Sequence, residues 1–179
     1  MSTPAYLLQA FSVQIYEPPL SRIREAQDYP DLTDPVTTLM LAVDFETEVS
    51  MNGITNFIGN STGRYAPQTI QALEFIGCPT QAARLREILS IATSAGMTYE
   101  AVQCDLEGRQ AYEVVTFSQV HGIKWQAVTS AIAVAASPLD LEDIYERAES
   151  FIAANQEAFN AVIRPSQGPG ESALARPGI

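Results

Sequence analysis

EVSMNGITNFIGNSTGRYAPQTIQALEFIG, residues 48–77, is the stretch around which the rest of the chain is organised. Asn52-Gly53 is a strong turn pair that ends an apolar helical pattern, because both residues tolerate positive φ. Two glycines and three short polar residues at 59–63 then predict a structured loop. A proline suited to the first turn of a helix follows, and Gly77 closes that helix. The stretch therefore predicts helix, tight turn, short helix, polar loop and helix.

The polar residues of this stretch have two interpretations. Asn and Gly lower the stability of a helical array unless their side chains or φ values are used. In the first interpretation Asn56, Asn60 and Ser61 cap helix ends and satisfy backbone groups. In the second they face a groove and bind a ligand, and residue chemistry alone leaves both open. The motif loop, as we name it, consists of Asn52, Gly53, Asn56, Phe57, Asn60, Ser61 and Gly63.

The spacing of several positions in this stretch follows a known pattern. These positions are Glu48-Val49, Gly53, Phe57, Asn60-Ser61, Gly63, Ala66, Ala72-Leu73 and Ile76-Gly77. They resemble a bacterial domain-of-unknown-function family that includes an acidic DNA-mimic protein. The chain departs from that pattern at residues 50–52, where Ser, Met and Asn replace Asn, Asn and Gly, and at Ile54 and Asn56. The resemblance implies an all-helical fold and, in one branch, a protein that takes the place of duplex DNA on a DNA-binding partner.

Length and composition indicate one folded domain. The chain has 179 residues, of which 46% are apolar and only 17% are charged, and this excludes a disordered acidic segment. Helical periodicity recurs along the sequence, so we predict an all-α fold, a single globular domain of about eight helices over residues 1–163. Residues 164–179 hold three prolines and three glycines, which predicts a disordered tail.

The charge of the chain is strongly unbalanced. It has 21 acidic and 10 basic residues, a formal net charge of -11. Such a surface repels nucleic acid and membrane phosphates and attracts basic proteins, so direct nucleic-acid binding is not expected. Acidity that serves only solubility is the alternative. The N-terminus has neither a basic region nor a long apolar stretch, which predicts a cytoplasmic protein without a membrane span.

Acidic residues gather on two predicted helices. The helix that opens at Pro35 carries acids near its C-terminus, where carboxylates oppose the helix dipole. A second helix is predicted from Ser137-Pro138 to Val162, about six turns, with acids along its outer face, where the first-turn acids also favour the dipole. We expect the acids of both helices, together with two between them, to meet a basic partner. The predicted partner-binding residues are Asp44, Glu46, Glu48, Asp105, Glu107, Asp140, Glu142, Asp143, Glu146 and Glu149.

The sequence offers little that indicates catalysis. His121 is the only histidine and has no nucleophile motif around it, and Cys78 and Cys104 stand apart from each other and from any CxxC pair. No phosphate-binding, dinucleotide or HExxH motif occurs. We therefore expect neither an enzyme nor a metal or cofactor site. The nearly uncharged segment 123–136 predicts a buried helix, with Trp125 in the core or at a dimer contact.

Three functional hypotheses follow from these features. The first is an acidic interaction module, in its DNA-mimic form a ligand of a DNA-binding regulator or nucleoid protein and so a part of transcription regulation. The second is an immunity-type inhibitor of a basic toxin or nuclease. The third is a small-ligand or enzymatic site built on Asn52, Asn56, Asn60 and Ser61, with His121 nearby. A homodimer is compatible with each of them.

Overall fold

The structure is a computed structural model, and it describes residues 3–25, 32–60, 62–104 and 125–164. Within these ranges the chain forms ten α-helices and one 3-10 helix, and no strand occurs in them. The predicted all-α class is thereby confirmed, although the helices exceed the expected eight. Four residues named above, Ser61, Asp105, Glu107 and His121, and the tail after Arg164 lie outside the described residues. The division into one domain and a tail stays a prediction.

The helix bounds are as follows. They are α1 Pro4–Gln14, α2 Leu20–Glu25, α3 Pro35–Asn52, α4 Ile54–Gly59, the 3-10 helix Gly63–Tyr65, α5 Ala66–Phe75, α6 Pro79–Ser94, α7 Tyr99–Cys104, α8 Gln126–Ala136, α9 Leu141–Ala154 and α10 Gln156–Val162. No helix among the described residues is long and apolar enough to cross a membrane.

Helix starts follow local side-chain chemistry. Thr3 Oγ1 accepts a hydrogen bond from the Tyr6 N–H at 3.3 Å, and Asp34 Oδ2 accepts one from the Thr37 N–H at 3.0 Å. Both caps satisfy a backbone donor that has no partner inside its helix. The predicted start of α3 at Pro35 is confirmed, and α1 begins in the same way at Pro4.

Helix α3 is the central element of the fold. It packs against α4, α5, α9 and α10, and every residue from Val36 to Phe45 is buried. The Phe45 ring meets the Phe57 ring edge-on, with centroids 4.9 Å apart, which joins α3 to α4. A second aromatic pair, Phe11 with Phe159 at 5.4 Å, joins α1 to α10. Burial of one such ring contributes about 1.5–3 kcal/mol of transfer free energy.

Two predicted helices differ from the structure. The predicted buried helix at 123–136 is only partly buried: α8 packs against α6 and α4, Ile132 is its one buried residue, and Val134 is 76% exposed. An apolar composition without a strong period does not define a buried face. Trp125 is buried, in agreement with a core position. The helix predicted to run to Val162 divides at Asn155, whose Nδ2 donates to the Phe151 carbonyl at 2.9 Å.

Candidate functional site

The Glu48 carboxylate lies at the centre of the motif loop. Its Oε1 accepts hydrogen bonds from Asn52 Nδ2, at 3.0 Å, and from Asn60 Nδ2. Asn56 Nδ2 donates to the Asn52 carbonyl at the end of α3. The amide groups therefore bind a carboxylate and a backbone carbonyl within the chain. This arrangement favours the helix-capping interpretation of the motif loop over the ligand-binding one.

Gly63 brings the motif loop against the backbone of α4. A Cβ at Gly63 would lie 2.2 Å from the Phe57 carbonyl oxygen and 2.5 Å from that of Ile58. Any side chain at this position would therefore displace the main chain. From α7, Gln103 Nε2 donates to the Gly59 carbonyl, so a third helix is tied to the same loop. Gly53 has φ +80°, which confirms the predicted turn.

A small cavity beside the motif loop is too small for a ligand. Its volume is about 10 Å³, which is room for at most one water molecule. Thr62 Oγ1 is buried there and has no hydrogen-bond partner among the residues that the structure describes. Phe57 is the only motif-loop residue among those that line it, so no amide of the loop faces the cavity. The lining residues are Leu41, Asp44, Phe45, Phe57, Thr62, Tyr65 and Thr69.

Asp44 was predicted to lie on a partner-binding surface, but the structure buries it. Its side chain is 4% exposed, and the Tyr16 hydroxyl donates to its Oδ1 at 3.4 Å. Asp44 lies between Val43 and Phe45, which are both buried, on the inward-facing part of α3. The central position of α3 buries every residue from Val36 to Phe45, and helical spacing alone does not show this.

The other acids of α3 are partly exposed. Glu46 Oε1 accepts a hydrogen bond from Ser50 Oγ at 2.8 Å, one turn further along the helix. Glu48 is engaged by the motif-loop amides. Within the described ranges, no hydrogen bond or ion pair connects these two acids to those of α9. The structure therefore gives α3 an acidic end whose carboxylates have internal donors.

Two acids at the start of α9 anchor this helix to α6. Asp140 Oδ1 accepts from the Asp143 N–H at 3.1 Å, which caps α9. Asp143 Oδ2 accepts from Gln81 Nε2 at 3.2 Å, and Asp143 Oδ1 is 3.2 Å from Arg147 Nε. Gln81 Oε1 in turn accepts from the Asp140 N–H at 3.4 Å. These two carboxylates therefore act mainly within the chain.

Gln81 is a residue that sequence reasoning missed. Its side chain is only 4% exposed although it is polar, and it hydrogen bonds to both acids at the start of α9. The sequence feature that could have identified Gln81 is its position in the apolar stripe of α6. Gln81 lies one turn before Leu85, and Ile88 and Ala92 continue the same buried face. A polar residue in such a stripe indicates a buried hydrogen-bonding role.

The outer face of α9 carries the uncompensated acids, which we name the α9 row: Glu142, Glu146 and Glu149. All three side chains are exposed, and the spacing i, i+4 and i+7 places them on one side of the helix. The first and last are separated by about 10 Å along the axis. None of the three forms an ion pair with a described residue. The buried residues of α9, Ile144, Ala148 and Ile152, occupy the opposite face.

Two arginine side chains of α6 are paired with acids outside the α9 row. Arg84 lies 2.9 Å from Glu87 in α6, and Arg86 lies 2.9 Å from Glu74 in α5. These pairs are half exposed, so each contributes little stability. These arginines are paired with carboxylates of α5 and α6, and Arg147 of α9 is paired with Asp143, so none of the three forms an ion pair with the α9 row. Glu100 lies at the start of α7. Hydrogen bonds from its own backbone N–H and from the Thr98 hydroxyl lower the pKa of its carboxyl group.

Cys78 lies beneath the start of α9. Its thiol is buried and donates weakly to the Asp143 carbonyl oxygen, with the two atoms 4.0 Å apart. Burial first, and the nearby Asp143 carboxylate second, raise the pKa of this thiol from 9.0 to about 12, against an opposing effect of Arg147. The described residues contain no group of three or more side chains suited to holding a metal ion.

Comparison with known proteins gave one match. A family model described as DMP19-like protein matches residues 30–155, which is more than half of the chain and covers both the motif loop and α9. No curated protein and no solved structure matches the chain.

Proposed function

Because the chain belongs to the DMP19-like protein family, whose members are described as DNA-mimic proteins, we propose that it is an acidic interaction module that occupies the DNA site of a basic protein. Family membership confirms the resemblance seen in residues 48–77. It supports a protein-binding role, and we propose that this role is exercised in the cytoplasm and is not catalytic. The partner class that this chemistry fits is a DNA-binding regulator or nucleoid protein, and the outcome of binding would be altered transcription.

The α9 row is the observation that carries the proposal. The carboxylates of this row repeat every three or four residues, about 5–6 Å along the helix axis, so they form a regular line of negative charge. A protein surface whose basic groups contact the phosphates of DNA can meet such a line with the same groups. The exposed side chains have no cation partner in the described part of the chain, so their charge is available to a partner.

The overall charge supports the same proposal. A net charge of -11 accelerates the approach of a basic protein and repels a second acidic one. At about 0.5 M salt the Debye length falls to about 4 Å, so an association of this kind weakens strongly. A homodimer would present two α9 rows on one assembly, as two-fold DNA-binding proteins require.

Displacement from immobilised DNA tests the proposal directly. Host proteins are retained on a duplex-DNA column at low salt, and the purified chain is applied as the eluant. A mimic must release specific DNA-binding proteins, and these are identified by mass spectrometry. The triple variant Glu142→Gln, Glu146→Gln, Glu149→Gln is expected to lose most of this release.

A matched triple variant controls for net charge. Glu74→Gln, Glu87→Gln and Glu100→Gln remove the same three charges from carboxylates that already have partners. This control is expected to elute the same proteins as the unchanged chain. If both triple variants lost the release of DNA-binding proteins equally, net charge alone would explain the release. If the unchanged chain released no protein, DNA mimicry would be refuted. Release of a nuclease alone would favour the immunity-type inhibitor.

A further inference from the structure

The pair Asn52-Gly53 has a reactivity that the proposed function does not use. It is the only Asn-Gly pair among the five asparagines of the sequence. In such a pair the glycine nitrogen attacks the asparagine Cγ, because glycine has no side chain to hinder the approach. The new N–Cγ bond closes a succinimide, and the Cγ–Nδ2 bond breaks as ammonia leaves with the glycine N–H proton. Addition of water then opens the ring to aspartate or isoaspartate.

The surroundings of this pair leave room for the ring. Asn52 is exposed at the last position of α3, and apart from the two neighbouring residues no heavy atom of the described chain lies within 4 Å of the position that a Cβ on Gly53 would occupy. Gly53 has φ +80° and stands outside the regular helix. Water and hydroxide therefore reach both reacting groups, unlike the buried main chain at Gly63.

Three hydrogen bonds restrain the same two residues. The Gly53 N–H, whose nitrogen is the nucleophile, donates to the Val49 carbonyl at 3.0 Å. The Asn52 Nδ2, which is the leaving group, donates to Glu48 Oε1 at 3.0 Å. The Asn52 carbonyl accepts from Asn56 Nδ2. The attack requires the first two bonds to open, so the folded chain holds the pair in an unreactive arrangement.

We propose that Asn52-Gly53 is a site of spontaneous deamidation, that its rate is set by opening of the last turn of α3, and that the product releases the motif loop. The reaction replaces the Asn52 donor by a carboxylate next to Glu48, so the pair changes from attractive to repulsive. In isoaspartate the main chain runs through Cβ and Cγ of residue 52, and the former main-chain carbonyl that Asn56 binds becomes part of the free carboxylate. Glu48 then keeps only Asn60 as a donor from the loop.

The rate of deamidation tests the gating step. The full chain is incubated at mildly alkaline pH, folded and in urea, and all five asparagines are followed by peptide mapping that separates aspartate from isoaspartate. Product is expected at Asn52, faster in urea, and not at Asn155 or Asn160. Glu48→Ala is expected to raise the folded-state rate about five-fold, as the loss of one exposed hydrogen bond predicts. Glu46→Ala removes one charge two residues before Glu48, from a carboxylate that has no bond to the pair, and is expected to stay within about two-fold.

Several outcomes of this experiment would overturn the inference. An equal rate in the folded chain and in urea would exclude gating by α3. If Glu48→Ala and Glu46→Ala changed the deamidation rate of the folded chain equally, the hydrogen bond from Asn52 to Glu48 would not restrain the reaction. Glu48→Gln keeps an acceptor oxygen and is expected to behave as the unchanged chain, which separates the restraint from a general loss of folding. Absence of product from the unchanged chain even in urea would remove the site.

Stability measurements test the consequence of the product. Asn52→Asp carries the new carboxylate, and Asn52→Ala lacks the donor without adding charge. Asn52→Asp is expected to unfold at a lower temperature than Asn52→Ala at low salt, and the difference is expected to shrink as salt screens the two carboxylates. Equal stability of the two variants at every salt concentration would contradict the repulsion that the inference requires.

Discussion

Glu48 and Glu146 are the same residue type on two helices, and their surroundings differ completely. Glu48, at the end of α3, accepts hydrogen bonds from two asparagine side chains and joins the end of α3 to the loop after α4. Glu146, on α9, is exposed and has no cation within the described part of the chain. The first carboxylate holds the fold together, whereas the second is available to a partner.

The difference separates the residues that identify the family from those that carry the proposed function. The motif loop is recognisable because it needs residue types with special backbone and hydrogen-bonding properties, such as Gly63 against the α4 carbonyls. The α9 row needs only charge and exposure, which many sequences satisfy on a helix surface. The strong sequence signal of the motif loop therefore identifies contacts that hold the fold, whereas the weak signal of the α9 row identifies the proposed interface.

The largest expected effect lies in the motif loop. Gly63→Ala places a Cβ within van der Waals overlap of two backbone carbonyl oxygens, so we expect a loss of about 3 kcal/mol or more in the free energy of unfolding. Gly53→Ala is the matched control: its position has open space but positive φ, and the expected loss is about 1 kcal/mol. Urea unfolding of both variants gives the two values. Equal losses would show that backbone strain, not close approach, is the constraint at Gly63.

The burial of Cys78 against the inner side of α9 is tested by the pH dependence of stability. The pKa of Cys78 is about 12 in the folded chain and 9.0 in the unfolded one, because burial and Asp143 disfavour the thiolate. The raised pKa means that this stability is fully present below pH 9.0 and is lost as pH rises towards 12. The expected slope in this window is about 1.4 kcal/mol per pH unit. Cys78→Ala, unfolded in urea at the same pH values, is expected to lack this slope, and a parallel decline in both proteins would contradict it.

Local chemistry made much of the fold predictable. Thr3 and Asp34 cap helices through bonds to residues three positions away, and Gly53 adopts the positive φ that its turn requires. The separation of one long predicted helix at Asn155 was missed. The hydrophobic spacing continues across this break, and no proline marks it. The helix ends there because the Asn155 side chain donates a hydrogen bond to the Phe151 carbonyl.

The candidate site was less predictable, because it depends on which faces meet. Asp44 and Glu48 stand one turn apart in sequence, yet one is buried and the other partly exposed, since α3 leaves the core only near its end. Asp143 resembled its neighbours on α9, and its bond to Gln81 of α6 depends on packing between distant segments. Glu142, Glu146 and Glu149 were predicted to bind a partner together with Asp140 and Asp143, and only the structure separates the three exposed acids without an ion pair from the two that bond within the chain.

The smallest expected effect compares the two carboxylates directly. Glu48→Ala removes the acceptor of two amide donors, and we expect a loss of about 1 kcal/mol in the free energy of unfolding. Glu146→Ala removes no bond and is expected to stay within about 0.5 kcal/mol. Both positions are helical, so the gain in helix propensity is similar and cancels in the comparison.

A thermodynamic cycle then assigns the loss to one contact. Asn60→Ala is measured alone and combined with each glutamate variant, all by urea unfolding. A coupling of about 0.5 kcal/mol or more is expected between Glu48 and Asn60, and none between Glu146 and Asn60. If Glu48 showed no coupling, the loop after α4 would be held by Gly63 and the Gln103 bond alone, and the carboxylate of Glu48 would be as free to meet a partner as those of α9.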